Sequence, residues 1–140
     1  TLNESLQEGN YDWGIFTAAV ADFQPESVFE GKLPSNQKQL SLKLVPTVKV
    51  IEEVRQHFPE LKMVTFKYEE NISHEELMEI AKNRLSEKGG SQLVVANRVE
   101  EFKQDGTQVA WLLESKQEPQ KHIGKKDIAN AILDRIELTA

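Results

Sequence analysis

Short runs of apolar, β-favouring residues alternate with amphipathic segments along most of this chain of 140 residues. Apolar runs of this length are typical of buried strands, and apolar residues spaced three or four apart are typical of helices that cover a sheet. The apolar runs predict strands at residues 13–20, 61–68, 92–97 and 107–113, and alternation of apolar and polar residues predicts a strand at 40–45. The periodic segments predict helices at residues 2–8, 47–58, 73–88 and 125–138.

The order of these elements predicts an α/β fold, because strands that alternate with helices of this length form βαβ units. We expect a Rossmann-like fold of three layers, in which helices flank a mostly parallel sheet. The last two predicted strands follow each other without a helix, and the second is entered through the turn pair Asp105-Gly106. They are therefore expected to form an antiparallel C-terminal strand pair.

A long segment without a hydrophobic period, residues 22–39, separates the first two predicted strands. Pro25, Gly31 and Pro34 interrupt it. Loops longer than about 12–15 residues are uncommon in compact domains and often act as lids, so we predict a flap here. Residues 119–124 are predicted to be a connection that leads into the last helix.

Composition restricts the class of protein. The length suits one domain with a buried core, and we predict a single domain over residues 1–140. The absence of cysteine excludes disulfides and thiolate metal sites. The net charge of −6 argues against nucleic acid as a partner. No apolar run reaches the roughly 18 residues of a membrane span, and no signal segment is visible, so we expect a cytoplasmic protein without a membrane partner.

Polar or aromatic side chains follow three of the predicted strands. Ligands of open α/β sheets bind outside the carboxyl ends of the strands, so Asp22, Phe66 and Asn97 are candidate binding residues. The small residues at 18–21 would let a flat ligand approach the backbone, and the Asp22 carboxylate could accept hydrogen bonds from a base or a sugar. Ordinary alternatives exist, since Asp22 and Asn97 suit turns and Phe66 suits the core.

Three basic residues are candidates for binding phosphate. Lys32 lies in the predicted flap, where it could close over phosphates, and Arg84 and Lys88 share one face of a predicted helix. The alternatives are a solvated surface lysine and cations stabilised by the helix dipole. The histidine spacing fits no zinc site, and no phosphate loop, dinucleotide motif or nucleophile elbow is present, so metal ligands are left unassigned.

Five segments, in this order, resemble motifs of the phosphopantothenate–cysteine ligase family, the synthetase part of the bifunctional coenzyme A biosynthesis flavoproteins. The resemblance runs from about residue 13 to residue 136 and corresponds to the C-terminal part of that synthetase. The segments are AAVADFQP at 18–25, GKLPS at 31–35, LKLVP at 42–46, VTFKYE at 64–69 and LVVAN at 93–97. Five motifs in sequence are far more specific than any one of them.

The resemblance implies how a nucleotide would bind. Asp22 would bind the base. Phe16, Thr17 and Ala18 would line the nucleotide pocket, and Phe66 would contact the nucleotide.

The resemblance also implies a reaction. The carboxylate of 4′-phosphopantothenate would attack the α-phosphate of CTP or ATP and release pyrophosphate, and the amine of cysteine would then displace the nucleoside monophosphate. Lys32 would be the catalytic residue on the flap, Arg84 and Lys88 would hold the triphosphate, and Asn97 is a possible supporting residue. Mg²⁺ would accompany the nucleotide. A homodimer is implied, and no flavin is expected in this chain.

The chain departs from the family pattern in ways that leave the choice between CTP and ATP open. Pro34 and Ser35 stand where further lysines often follow, Arg98 follows Asn97 where aspartate is frequent, and residues 47–49 replace a Pro-Asp-Ile segment. The glycine-rich turn and the Asn/Ser-rich segment of the family are not in this sequence. We therefore expect part of the active site to be absent from the chain, as in a fragment or in a protein that works with a partner chain.

Two alternatives stay open on the sequence. The chain could be a non-catalytic nucleotide-binding or dimerisation module that kept the fold and lost the reaction. It could also be a plain α/β adaptor without a small ligand, in which Asp22, Lys32 and Arg84 would be unrelated in space.

Overall fold

The structure is a computed structural model that describes residues 2–28, 30–32, 38–86 and 90–138. The helices are α1 (Leu2–Glu8), α2 (Val50–His57), α3 (His74–Ser86) and α4 (Lys125–Glu137). The strands are β1 (Trp13–Phe16), β2 (Phe23–Pro25), β3 (Leu44–Pro46), β4 (Lys62–Glu69), β5 (Leu93–Arg98), β6 (Val109–Glu114) and β7 (Gln120–Ile123). A short 3-10 helix, Val99–Glu101, follows β5. The predicted α/β class is confirmed.

Five strands form one sheet in the order β1-β4-β5-β6-β7, and β2 pairs with β3 in a separate two-stranded sheet. The strands β1, β4 and β5 are parallel. The strand β6 is antiparallel to β5, and β7 is antiparallel to β6. The Rossmann-like fold with an antiparallel pair near the C-terminus is therefore confirmed.

Side chains alternate between the two faces of the sheet, and helices cover both faces. On one face, Val64 and Val95 pack against α4. On the other face, Val94 and Ala96 pack against α3, and Met63 packs against α2. This separation matters for the site, because neighbouring residues of one strand contribute to opposite sides of the molecule.

Two predicted strands are shorter in the structure. The strand β1 ends at Phe16 rather than at residue 20, because its pairing with β4 ends where Phe16 lies opposite Thr65. The small residues that follow are exposed and bury no apolar surface that would extend the strand. The predicted strand at 40–45 is reduced to β3. Its partner β2 lies inside the segment predicted to be a loop, and three residues are too few to show a period of two.

The prediction of a connection at residues 119–124 was wrong, since most of this segment is the strand β7. Ala110 of β6 lies opposite His122 of β7. The segment is polar because β7 is the outer strand of the sheet, and edge strands carry polar and charged side chains that discourage pairing with other chains. Hydrophobic periodicity therefore gave no signal for it.

The structure confirms one of the two predicted helix caps and contradicts the other. The capping box of α3 is confirmed: the Ser73 amide donates to Glu76 Oε2 at 2.6 Å, and the Glu76 amide donates to Ser73 Oγ at 3.2 Å. The predicted cap at Thr47 was wrong, because Lys49 occupies the N-cap position of α2. The Thr47 hydroxyl instead donates to the Ala21 carbonyl.

The flap prediction falls partly on residues 29 and 33–37, which lie outside the described residues. In the part of the chain that the structure describes, no helix is both long enough and apolar enough to cross a membrane.

Candidate functional site

An open cleft of about 350 Å³ lies between α4 and the adjoining parts of β1 and β4. Its apolar wall is formed by side chains of both strands and of the helix, and its lining residues with polar side chains are Thr17, Gln108 and Lys125. The apolar lining residues are Ile15, Phe66, Ala129 and Leu133, together with the core residues Ile128 and Ile132. Such a lining suits a flat, partly apolar molecule that carries a few polar groups.

The register of the sheet explains why Thr17 and Phe66 meet in this cleft. Phe16 lies opposite Thr65 in the parallel pair of β1 and β4. Thr17, which follows β1, and Phe66, the next residue of β4, therefore point to the other face, which α4 covers. Thr17 and Phe66 were both predicted to bind a nucleotide, and the structure brings them together on one surface.

Phe16 lies on the opposite face from this cleft. Its half-buried ring packs against a core cluster of Val54, Leu61 and Met63 beneath α2. Any contact of Phe16 with a ligand in the cleft would therefore run through its backbone.

Asp22 and Ala18 are exposed in the segment that follows β1. Backbone contacts hold this segment against the approach to α2, since the Thr47 amide donates to the Asp22 carbonyl at 2.9 Å and the Thr47 hydroxyl donates to the Ala21 carbonyl. The main chain at Asp22 is thereby fixed while its side chain stays exposed to solvent. An exposed carboxylate on a fixed backbone can accept hydrogen bonds from an amino group of a base.

Lys32 is exposed in the segment between β2 and β3, directly after Gly31, which has a positive φ of 104°. The base of this segment is closed by contacts between Glu26 and Lys43: their side chains form an ion pair at 2.6 Å, and the Glu26 amide donates to the Lys43 carbonyl at 2.9 Å. Lys32 therefore lies in the segment beyond this closed base.

Arg84 lies in the last turn of α3, and its carbonyl accepts a hydrogen bond from the Ser91 amide at 3.1 Å. Ser91 lies two residues before the start of β5, so the end of α3 is at the amino ends of the parallel strands. Thr17 follows the carboxyl end of β1. The structure consequently places Arg84 near the amino ends of the parallel strands and Thr17 near their carboxyl ends, on opposite sides of the sheet's length. Lys88 lies outside the described residues.

Asn97 is half-buried in β5 and lies opposite Tyr68 of β4. A group of side chains around Glu101 anchors the chain just beyond it. The Trp111 indole N–H donates to Glu101 Oε2 at 2.6 Å, Arg98 Nε donates to Glu101 Oε1 at 3.0 Å, and His74 Nδ1 lies 2.7 Å from the same oxygen. Glu101 thus joins α3, β6 and the end of β5.

The electrostatics of Glu101 follow from this arrangement. Burial alone would raise the pKa of Glu101, but the hydrogen bonds from Trp111, Arg98 and His74 outweigh it and lower the pKa. The carboxylate therefore stays ionised, which favours short, charge-assisted hydrogen bonds. This hub was not predicted, because its members come from separate segments and carry no common motif.

Gln108 and Lys125 were also missed in the sequence. One signal for Lys125 was available: Lys125 and Lys126 begin α4, although helices favour acidic residues in their first turn. A cation at that end is not explained by helix stability.

Comparison with known proteins places this geometry in a family. The family model described as the DNA/pantothenate metabolism flavoprotein C-terminal domain matches residues 2–139. Over 136 residues the chain is 32% identical to the coenzyme A biosynthesis bifunctional protein CoaBC of Thermococcus kodakarensis, covering 97% of this chain and 33% of the relative. Over 138 residues it is 33% identical to the protein of the same name from Methanocaldococcus jannaschii, covering 97% of this chain and 34% of the relative. The chain spans about a third of the length of these curated relatives.

Two solved structures share the fold. The crystal structure of the DNA/pantothenate metabolism flavoprotein from Streptococcus pneumoniae aligns with a TM-score of 0.80 at 24% identity, over 99% of this chain and 69% of that one. The crystal structure of the C-terminal domain of the coenzyme A biosynthesis bifunctional protein CoaBC aligns with a TM-score of 0.69 at 22% identity, over 99% of this chain and 60% of that one. The resemblance drawn from the five motifs is confirmed by the family match, and the chain belongs to the DNA/pantothenate metabolism flavoprotein C-terminal domain family.

Proposed function

We propose that this chain is the nucleotide-binding part of a ligase of coenzyme A biosynthesis. The ligase joins 4′-phosphopantothenate and cysteine through an acyl-nucleotide intermediate formed from CTP or ATP. The observation that carries the proposal is the cleft in which Thr17 and Phe66 meet, in a chain whose relatives are named as coenzyme A biosynthesis proteins.

The nucleoside would occupy the side of the sheet that α4 covers. The base would lie against the Phe66 ring, and the Thr17 hydroxyl would hydrogen-bond the sugar or the base. Asp22 follows Thr17 by only five residues on a fixed backbone, so its exposed carboxylate would accept a hydrogen bond from an exocyclic amino group. Cytosine and adenine both carry such a group, which keeps both CTP and ATP in the proposal.

The reaction has two displacements. A carboxylate oxygen of 4′-phosphopantothenate forms a bond to the α-phosphorus, and the bond to the departing pyrophosphate breaks. The cysteine nitrogen then forms a bond to the acyl carbon and loses a proton, and the nucleoside monophosphate leaves. Charge accumulates on the phosphoryl oxygens in the first step, and a flap lysine such as Lys32 would stabilise it by closing over them.

No three His, Cys, Asp or Glu side chains of the described residues lie close enough to hold a metal ion together. Mg²⁺ in such enzymes is held mainly by substrate phosphates and water. We therefore propose that Mg²⁺ arrives with the nucleotide, and the steps above are assigned to residues of the chain.

A homodimer is proposed from an exposed apolar surface. The arm, defined as β2, β3 and the flanking residues 38–43 and 47–48, carries Phe23, Leu40, Leu42, Leu44 and Val48 with exposed side chains. A two-stranded sheet is marginally stable by itself, and exposed apolar patches usually mark contact surfaces. Leu42→Glu should shift the mass measured by light scattering towards the monomer, whereas Leu138→Glu at the exposed end of α4 should leave it unchanged.

The second candidate is a non-catalytic nucleotide-binding or dimerisation module. It is favoured by the position of Arg84, which lies at the other edge of the sheet from Thr17 and so adds no cation to the cleft. A module would bind nucleotide and release no pyrophosphate.

The experiment that separates these two functions is release of pyrophosphate from CTP or ATP, measured with and without 4′-phosphopantothenate in the full-length protein that carries this chain. A ligase releases pyrophosphate only when 4′-phosphopantothenate is present, and Lys32→Ala abolishes the release while nucleotide binding persists. Lys38→Ala is a matched control, because Lys38 is an exposed lysine of the same segment. Nucleotide binding without any pyrophosphate release, in a folded protein given both substrates, would establish the module instead.

A further inference from the structure

We propose that Lys125 binds the phosphates of the nucleotide whose nucleoside lies against Thr17 and Phe66. This inference rests on the proposed function and adds to it a residue that neither the motifs nor the family resemblance indicated. It is carried by the lining of the cleft and by the position of Lys125 at the start of α4.

The cleft has the two chemical parts that a nucleotide requires. Ile15, Phe66 and Ile132 offer an apolar surface for a flat base and a sugar, while Lys125, which also lines the cleft, carries a positive charge. Its volume of about 350 Å³ falls within the range of roughly 300–1,000 Å³ that small-ligand sites occupy.

Lys125 is poorly explained by the stability of the fold. It is the first residue of α4, where the helix dipole favours anions and disfavours cations. Some other lysines of the chain form ion pairs, as Lys43 does with Glu26 and Lys67 does with Glu69. Lys125 has no such acidic partner among the described residues and is exposed at the cleft.

A cation within the cleft also resolves a difficulty in the predicted site. Arg84, expected to hold the triphosphate, lies near the amino ends of the parallel strands. A nucleotide bound at Thr17, beyond the carboxyl end of β1, would extend its phosphates along the near edge of the sheet. Lys125 is the lysine that lines the cleft at this edge.

The test compares Lys125→Met with Lys126→Met. Both lysines are exposed in the first turn of α4, so each variant removes one positive charge from the same end of the helix. Only Lys125 lines the cleft. Titrations of this chain use CTP and ATP with Mg²⁺, and cytidine and adenosine as ligands without phosphate. We expect Lys125→Met to weaken triphosphate binding by about ten-fold or more, the usual cost of losing one charge-assisted contact, and to leave nucleoside binding unchanged. Lys126→Met should bind both ligands as the wild type does.

A second measurement tests whether bound nucleotide protects the Lys125 side chain from chemical labelling. The lysines are acetylated with and without saturating triphosphate, and mass spectrometry gives the extent of labelling at each. Protection of Lys125 but not of Lys126 supports the inference.

Equal triphosphate affinity of Lys125→Met and the wild type, or equal labelling of Lys125 with and without nucleotide, would overturn the inference. If Phe66→Ala then still lost nucleotide binding, the proposed function would stand with another phosphate ligand. A folded wild-type chain that bound none of the four ligands would overturn the inference and the proposed nucleotide site together.

Discussion

Replacement of Glu101 by glutamine should destabilise the fold by about 2 kcal/mol, and the contacts of this residue show why. The carboxylate accepts from Trp111 at one oxygen and from Arg98 at the other, with His74 also at the second oxygen. Glutamine has one acceptor oxygen. If that oxygen faces Arg98 and His74, the amide NH₂ faces the indole N–H, and a partly buried donor loses its partner at a cost of about 1–3 kcal/mol.

Urea unfolding followed by far-UV circular dichroism measures this loss without relying on the fluorescence of Trp111. Glu118→Gln is the matched control, because Glu118 is exposed and its replacement should change stability by less than about 0.5 kcal/mol. A double-mutant cycle with Trp111→Phe isolates the pair, because removing the indole N–H also removes the conflict with the amide. We expect a coupling energy of about 1 kcal/mol between the two substitutions.

The pH dependence of the free energy of unfolding tests the contribution of the Glu101 carboxylate in a second way. The pKa of Glu101 is lowered in the folded protein, so its contribution is complete above the ordinary glutamate pKa of about 4.3 and is lost as the pH falls through the lower folded-state pKa. The stability difference between the wild type and Glu101→Gln should therefore shrink on acidification. Two results would contradict this role of the hydrogen bonds around Glu101. One is that the effects of Glu101→Gln and Trp111→Phe on the free energy of unfolding are additive. The other is that the stability difference between the wild type and Glu101→Gln grows as the pH falls.

Other contacts give smaller, separate predictions, each measured by urea unfolding. Ser73→Ala should cost about 1 kcal/mol because it removes one half of the capping box with Glu76, and an unchanged stability would contradict that cap. Gly14→Ala should cost roughly 1–3 kcal/mol, since a β-carbon there would lie 2.7 Å from the Phe16 ring and the core would have to shift; a neutral effect would mean that the ring moves at no cost. Asp127→Ala should destabilise the fold near neutral pH, because it removes the hydrogen bond that the Asp127 carboxylate accepts from the Ile123 amide. Because that bond lowers the pKa of Asp127, the cost of Asp127→Ala should fade as the pH falls through that pKa, and a cost independent of pH would contradict this.

The sequence predicted the central strands and the helices well, because the residues that they bury are apolar and follow a recognisable pattern. The middle of β4 and the start of β5 are buried on both faces and rich in apolar residues, and the amphipathic faces of α3 and α4 gave a helical period. The strands β2 and β7 were missed, because one is only three residues long and the other is a polar outer strand. A period of two is visible only in strands that are longer and half-buried.

The candidate site was predictable in part for a related reason. Phe66 follows from the rule that ligands bind near the carboxyl ends of parallel strands, Thr17 was implied by the family resemblance, and the sheet register joins them. That Phe16 points away and that Arg84 lies at the other edge are consequences of strand alternation and helix direction, which the residue types do not reveal. The contact of Lys125 with the cleft depends on how α4 packs across the sheet, more than 100 residues from Thr17 in the chain.

The most direct test of the account is a calorimetric titration of this chain with CTP and with ATP, each with Mg²⁺. We predict saturable binding of at least one of them, lost in Asp22→Ala and retained in Asp134→Ala, which removes an exposed carboxylate of α4 outside the cleft. The nucleotide that binds more tightly identifies the base. Binding that is equal in both variants would contradict the role of Asp22, and no binding to a folded chain would contradict the claim that this chain carries the nucleotide site.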